Sequence, residues 1–152
     1  MHKEVELVFI TLSSPIQIGV YEEKKLIDTY SSEEKSSDVL PLLVDDLMQK
    51  YKIKALYYAN GPGSFMAIKV AYIFLRTLSI VKDLPLYAVD AFYFNNNQPI
   101  KAIGKLYFVK VASEIKTQKF EEKLLSSFEL PENLIQNDFN TDSAPLYSIG
   151  AV

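Results

Sequence analysis

The sequence has no cysteine and a single histidine, His2, in 152 residues. The first absence removes disulfides, thiolate nucleophiles and thiolate metal sites together, and it fits a cytoplasmic protein. The second confines any imidazole to a terminal position, which excludes most hydrolase mechanisms built on a Ser/His or Cys/His pair. Neither sign of charge is in large excess: 16 basic and 19 acidic side chains leave a net charge of −3. That balance gives no long-range attraction for nucleic acid or an anionic membrane. The amino-terminal Met1-His2-Lys3-Glu4-Val5-Glu6 carries acidic residues and leads into a short apolar run, unlike a signal peptide or a membrane span. No repeat of fixed period is present. What remains is a chain of 49% hydrophobic residues, enough for one core that buries roughly two-thirds of the unfolded surface.

The chain is organised around Asn60-Gly61-Pro62-Gly63-Ser64-Phe65. Two glycines flanking a proline allow a sharp turn and a close approach, and Ser64 is a natural helix N-cap. Ahead of this turn, Leu7–Ile10, Ile16–Tyr21 and Leu26–Tyr30 are short runs of β-formers, punctuated by Ser13-Ser14-Pro15 and by Lys24-Lys25. They predict a three-strand antiparallel meander. The spacing of Val39, Leu40, Leu43, Val44, Leu47 and Met48 predicts an amphipathic helix to about Lys50, capped by Ser36 or Ser37, with Pro41 in its first turn.

Ile53–Ala59 then predicts a strand, and Ser64 to about Lys82 a helix that is apolar nearly all round, with only Lys69, Arg76 and Lys82 charged. Such a helix needs cover on more than one side, which favours a helix-to-helix protein interface. Pro85–Val89 is the next strand, parallel to Ile53–Ala59 by the right-handed crossover rule. The layout is therefore β-β-β-α-β-α-β, an α/β fold. After Asn95 the pattern weakens: Lys105–Val111 is a strand, paired with Ile100–Ile103, Lys119–Phe128 a short helix, and the remainder a loosely ordered cover. This divides the chain into residues 1–95 and 96–152.

For the Gly-Pro-Gly turn, two readings stand side by side. Amides at a helix N-terminus attract anions, so Gly61, Gly63 and Ser64 are weak candidates for holding phosphate. A capped turn with no ligand is the other reading. The turn lacks the lysine and hydroxyl of a P-loop, and no histidine is available to activate Ser64. The acidic pairs Glu22-Glu23, Glu33-Glu34, Asp45-Asp46 and Glu121-Glu122 fit a solvated surface, since neighbours on a helix do not face one another. No spacing points to a metal site, a cofactor or a general acid/base pair.

Ala59-Asn60-Gly61-Pro62-Gly63-Ser64-Phe65, the helix with Leu40-Pro41 before it, and Leu84-Pro85-Leu86-Tyr87-Ala88-Val89 after the long helix resemble the TsaB family, also called YeaZ. The resemblance covers about residues 5–95. It implies an actin-like ATPase lobe related to ribonuclease H, with residues 96–152 as a shortened second lobe. It further implies a non-catalytic subunit in the making of threonylcarbamoyladenosine in tRNA, whose partners are the catalytic paralogue TsaD and the ATPase TsaE. Alone, such a chain would form a homodimer; tRNA would be met only through the complex.

The family's pairing helices correspond here to about Ser37–Lys50 and Ser64–Lys82. The implied interface residues are Leu40, Leu43, Val44, Leu47, Phe65, Ile68, Lys69, Tyr72, Ile73 and Arg76. The older glycoprotease label has no support in the residues. The chain departs from the family where Thr11 replaces the aspartate that closes the first strand, and where Met66, Ala67 and Lys69 replace Thr, Gly and Arg. A small nucleotide-binding enzyme of the actin-like superfamily is the alternative.

Overall fold

The computed structural model describes residues 2–12, 14–125 and 127–146. Ser13, in the first punctuation, and residues 147–152 of the second segment lie outside the described residues. The meander forms as β1 (Lys3–Ile10), β2 (Ile16–Glu22) and β3 (Lys25–Ser32). It is followed by α1 (Ser36–Lys50), β4 (Tyr51–Ala59), α2 (Phe65–Lys82) and β5 (Leu86–Val89). The five strands make one sheet in the order β3-β2-β1-β4-β5. The β1–β2 and β2–β3 pairs are antiparallel, and the β1–β4 and β4–β5 pairs are parallel. This is an α/β topology: a mixed five-stranded sheet whose parallel strands are joined through the two helices.

Strand alternation sends side chains to two separate cores. Val5, Leu7 and Phe9 of β1 face Leu40, Val44 and Leu47 of α1 and Leu75 of α2. Val8 and Ile10 face the other way, toward Phe92, Phe108, Phe128, Leu134 and Phe139. Both helices therefore lie on one face, and the chain after residue 90 covers the other. There, a 3₁₀ turn (Ala91–Phe94) leads to a three-stranded antiparallel sheet of β6 (Ile100–Lys101), β7 (Leu106–Val111) and β8 (Glu114–Lys119).

The last described segment, 127–146, is a strap tied across this face. Gln17 Nε2 donates to the Phe128 carbonyl at 2.8 Å, and the Tyr21 hydroxyl to that of Pro131 at 2.5 Å. At the β3 edge the Leu26 amide donates to Glu132 and the Leu134 amide to Lys24, at 2.9 and 2.8 Å. At the β5 edge Ala88 and Asn140 exchange both backbone bonds, at 3.0 and 2.7 Å. The expectation of a loosely ordered cover is thus corrected: cover it is, but bonded at both edges of the sheet.

Three local expectations are also corrected. Residues 119–128 hold no helix among the described residues: Lys119 ends β8 opposite Leu106, and Phe120 stacks edge-on against Tyr107 while Phe128 enters the sheet-face core. The apolar spacing there serves two different surfaces. Helix α1 starts at Ser36 with Lys35 as a cap that makes no side-chain bond, so Pro41 is its sixth residue and lies beyond the first turn. It is tolerated because the carbonyl it leaves without a donor, that of Ser37, belongs to an exposed residue that water can reach. The turn between β2 and β3 is Glu23-Lys24 rather than Lys24-Lys25.

Glu23-Lys24 and Ala112-Ser113, at the β7–β8 hairpin, have positive φ at both positions, 50° and 68° in one and 50° and 75° in the other. Two-residue hairpin turns of this hand favour Asn-Gly. Ala112→Asn combined with Ser113→Gly is expected to raise stability by about 1 kcal/mol, measured as a higher denaturation midpoint at unchanged slope.

Candidate functional site

The Gly-Pro-Gly turn is used by the chain itself. Asn60 is buried: its amide donates to Val89 at 3.1 Å, its side-chain Nδ2 to the Ala144 carbonyl at 2.9 Å, and its carbonyl accepts from Leu146 at 2.9 Å. Gly61 has φ +120° and its carbonyl accepts from the Ala91 amide at 2.8 Å. A side chain there would be strained by the backbone and would crowd Ile68 at 3.1 Å. A Cβ on Gly63 would meet Leu12 at 3.3 Å, so an apolar side chain packs where a phosphate-cradling loop would need open space. Ser64 caps α2 by accepting from the Ala67 amide at 3.4 Å, as its position predicts. Of the weak phosphate candidates, then, Gly61 and Gly63 serve close packing and Ser64 serves the helix.

The ten implied interface residues separate by burial. Leu40, Val44, Leu47 and Ile68 are buried in the chain's own cores, which corrects their placement on an outer surface. Leu43 and Tyr72 are half-buried, and Phe65, Lys69, Ile73 and Arg76 are exposed. Exposed residues outside that set complete the surface: Leu42 is 67% exposed, Met66 62% and Ile80 66%, with Ile73 at 54%. Met66, Lys69, Ile73, Arg76 and Ile80 follow one another at steps of three and four, the spacing of a coiled-coil seam. The outer side of α1 carries Asp38, Asp45 and Asp46, all exposed. The helical face is therefore an apolar stripe with cations on α2 and carboxylates on α1.

One polar cluster escaped the sequence reading. Glu6, only 3% exposed, accepts from the Tyr57 hydroxyl at 2.6 Å and from Lys24 Nζ at 2.7 and 3.0 Å. Lys24 also reaches Gln136 Oε1 of the strap at 3.3 Å. The signal was a glutamate at an inward position of an alternating strand, which demands a partner. Its bonds tie strap to sheet. Among the described residues, no group of three or more His, Cys, Asp or Glu is placed to hold a metal, and no helix is long and apolar enough to cross a membrane.

The family model described as "TsaD: tRNA N6-adenosine threonylcarbamoyltransferase" matches residues 31–101, the stretch from the end of β3 through both helices to β6. The solved structure "YeaZ from Pseudomonas aeruginosa" superposes with a TM-score of 0.58 at 15% identity, over 77% of this chain and 65% of that one. The chain is YeaZ-like in fold. A second structure, of an uncharacterized protein with similarity to peptidase YeaZ from Pseudomonas aeruginosa, gives a TM-score of 0.57 at 14% identity, over 80% of this chain and 69% of that one. The chain thus spans just under two-thirds of the first YeaZ structure. No curated protein matches it.

Three tyrosines hold this arrangement in its protonated form. Burial raises the pKa of Tyr21 and of Tyr57, the latter helped by the carboxylate of Glu6. Tyr93, which donates to Asp138 at 2.6 Å, is pushed up to about 12, first by burial and then by that bond. The unfolded chain loses these protons near the ordinary value of 10.0, so stability falls as pH rises from there toward 12. A cooperative loss of ellipticity together with tyrosinate absorbance is expected in that range. Gradual tyrosine titration with the fold intact would contradict the assignment.

Proposed function

We propose that this chain is a non-catalytic pairing subunit of the tRNA threonylcarbamoyladenosine system, which supports a TsaD-type partner through the outer face of α1 and α2. The observation that carries this reading is the exposed Met66, Ile73 and Ile80 at seven-residue spacing. A helix seam of that period is built to meet another helix. Lys69 and Arg76 within the stripe and Asp38, Asp45 and Asp46 beside it make the face self-complementary across a two-fold axis. The same face therefore supports a homodimer when no partner is present. The match to the TsaD model and the YeaZ-like fold support the pathway.

The small nucleotide-binding enzyme is the weaker reading. Leu12 packs against Gly63, and Thr11 stands where the resemblance implies a carboxylate. Measurable ATP binding by the isolated chain in calorimetry would reverse that preference.

Ile73 is the clean probe of the seam, because its neighbour Phe74 is half-buried against the helix-side core. Ile73→Asp is expected to weaken self-association at least about a hundredfold while changing chain stability by less than about 0.5 kcal/mol, read by sedimentation and by chemical denaturation. Wild-type chain that stays monomeric at high concentration would sink the homodimer. Co-expression with the TsaD-type protein of the same cell is expected to give co-purification and modified tRNA, both lost with Ile73→Asp. Failure of the wild-type chain in both assays would overturn the role.

A further inference from the structure

A cavity of about 500 Å³ opens on the helix side of the sheet, where β1 ends and both helices begin. Its position brings two helix N-termini to one place. At α1 the cap residue Lys35 gives no side-chain bond, and the amides of Ser36 and Ser37 have no acceptor among the described residues. At α2 the Ser64 hydroxyl takes the Ala67 amide, and that of Met66 has no acceptor among the described residues. Both helix ends direct partial positive charge into the same space.

The floor of the cavity supplies an independent observation. Thr11 is 2% exposed, lines the cavity, and its Oγ1 has no partner among the described residues. By strand alternation it shares the helix side of the sheet with Leu7 and Phe9, so its hydroxyl stands on the side where the cavity opens. A buried hydroxyl without a partner is destabilising unless something fills that role.

Part of the rim is acidic. Glu33 and Glu34 line it and make no ion pair among the described residues, and Lys35 lies beside them. A simple anion would suit the helix ends and be repelled by this rim, while a simple cation would meet the reverse problem. Ile16 and Val70 supply an apolar wall. We infer that the cavity binds a free α-amino acid with a small aliphatic side chain. Its carboxylate faces the amides of Ser36, Ser37 and Met66 and the Thr11 hydroxyl. Its ammonium faces Glu33 and Glu34, and its side chain rests on Ile16 and Val70. This inference does not depend on the pairing role.

L-valine, isovalerate and isobutylamine separate the charges, since the second lacks the amine and the third the carboxylate. L-valine at millimolar concentration is expected to shift the amide resonances of Ser36, Ser37 and Met66, with each truncated analogue about tenfold weaker. Thr11→Val, which removes an unpaired buried hydroxyl at nearly constant volume, is expected to keep the fold and weaken L-valine about tenfold. Should that variant misfold, Ser36→Pro provides the same information: proline is tolerated at the first helical position and removes one of the receiving amides. Glu33→Gln with Glu34→Gln should abolish the preference for L-valine over isovalerate. Absence of shifts with L-valine, isovalerate binding as tightly as L-valine, or undiminished binding in the folded variants would each overturn the proposal.

Discussion

The structure depends on covering both faces of one sheet. β1 and β4 run through its centre and are buried above and below, so each needs two covers that do not compete. Helices meet the first need because α1 and α2 lie side by side on the Leu7 and Phe9 face. The second need is met without helices, by a short sheet and a strap whose Phe139 packs edge-on against Tyr57 with ring centroids 4.9 Å apart. Removing either cover would expose a hydrophobic face far larger than a monomer of this size leaves open.

That division decides where the molecule can meet others. The strap occupies β5 at its middle through Ala88 and Asn140, and β3 at its start through Leu26 and Leu134. Strand addition at these points would have to displace it. On the opposite side Met66, Ile73 and Ile80 leave the outer surface of α2 exposed among the described residues. The outer helical face is charged at intervals and apolar between the charges.

The elements of the first ninety residues were legible because each follows from local pattern. Alternation marks β1 to β3, the spacing of Val39 through Met48 marks α1, and Ser64 marks the start of α2 by its capping oxygen. What was not legible lies in long-range pairing. The apolar helix looked in need of cover all round, yet Ile68, Ala71 and Leu75 satisfy the sheet while Ile73 and Ile80 remain outside. Phe120, Leu124 and Phe128 have a helical interval, but hairpin pairing had already claimed Lys119, and the aromatic rings go to different surfaces. At the candidate cavity, Thr11 was noticed for the carboxylate it replaces; its unpartnered hydroxyl becomes visible only once the helix ends are seen above it.

The strap joins partners that are remote in sequence. Gln17 meets Phe128, Tyr21 meets Pro131 and Lys24 meets Gln136, separations of 111, 110 and 112 residues. Contacts of such range raise the loop entropy that must be overcome before they stabilise anything. During synthesis the meander leaves the ribosome long before its cover exists, and Val8, Ile10, Tyr21 and Tyr57 stay bare on one side until Phe139 has been made. The amino-terminal half is thus a folding client of the strap, and the nascent chain carries an adhesive surface until that strap is made.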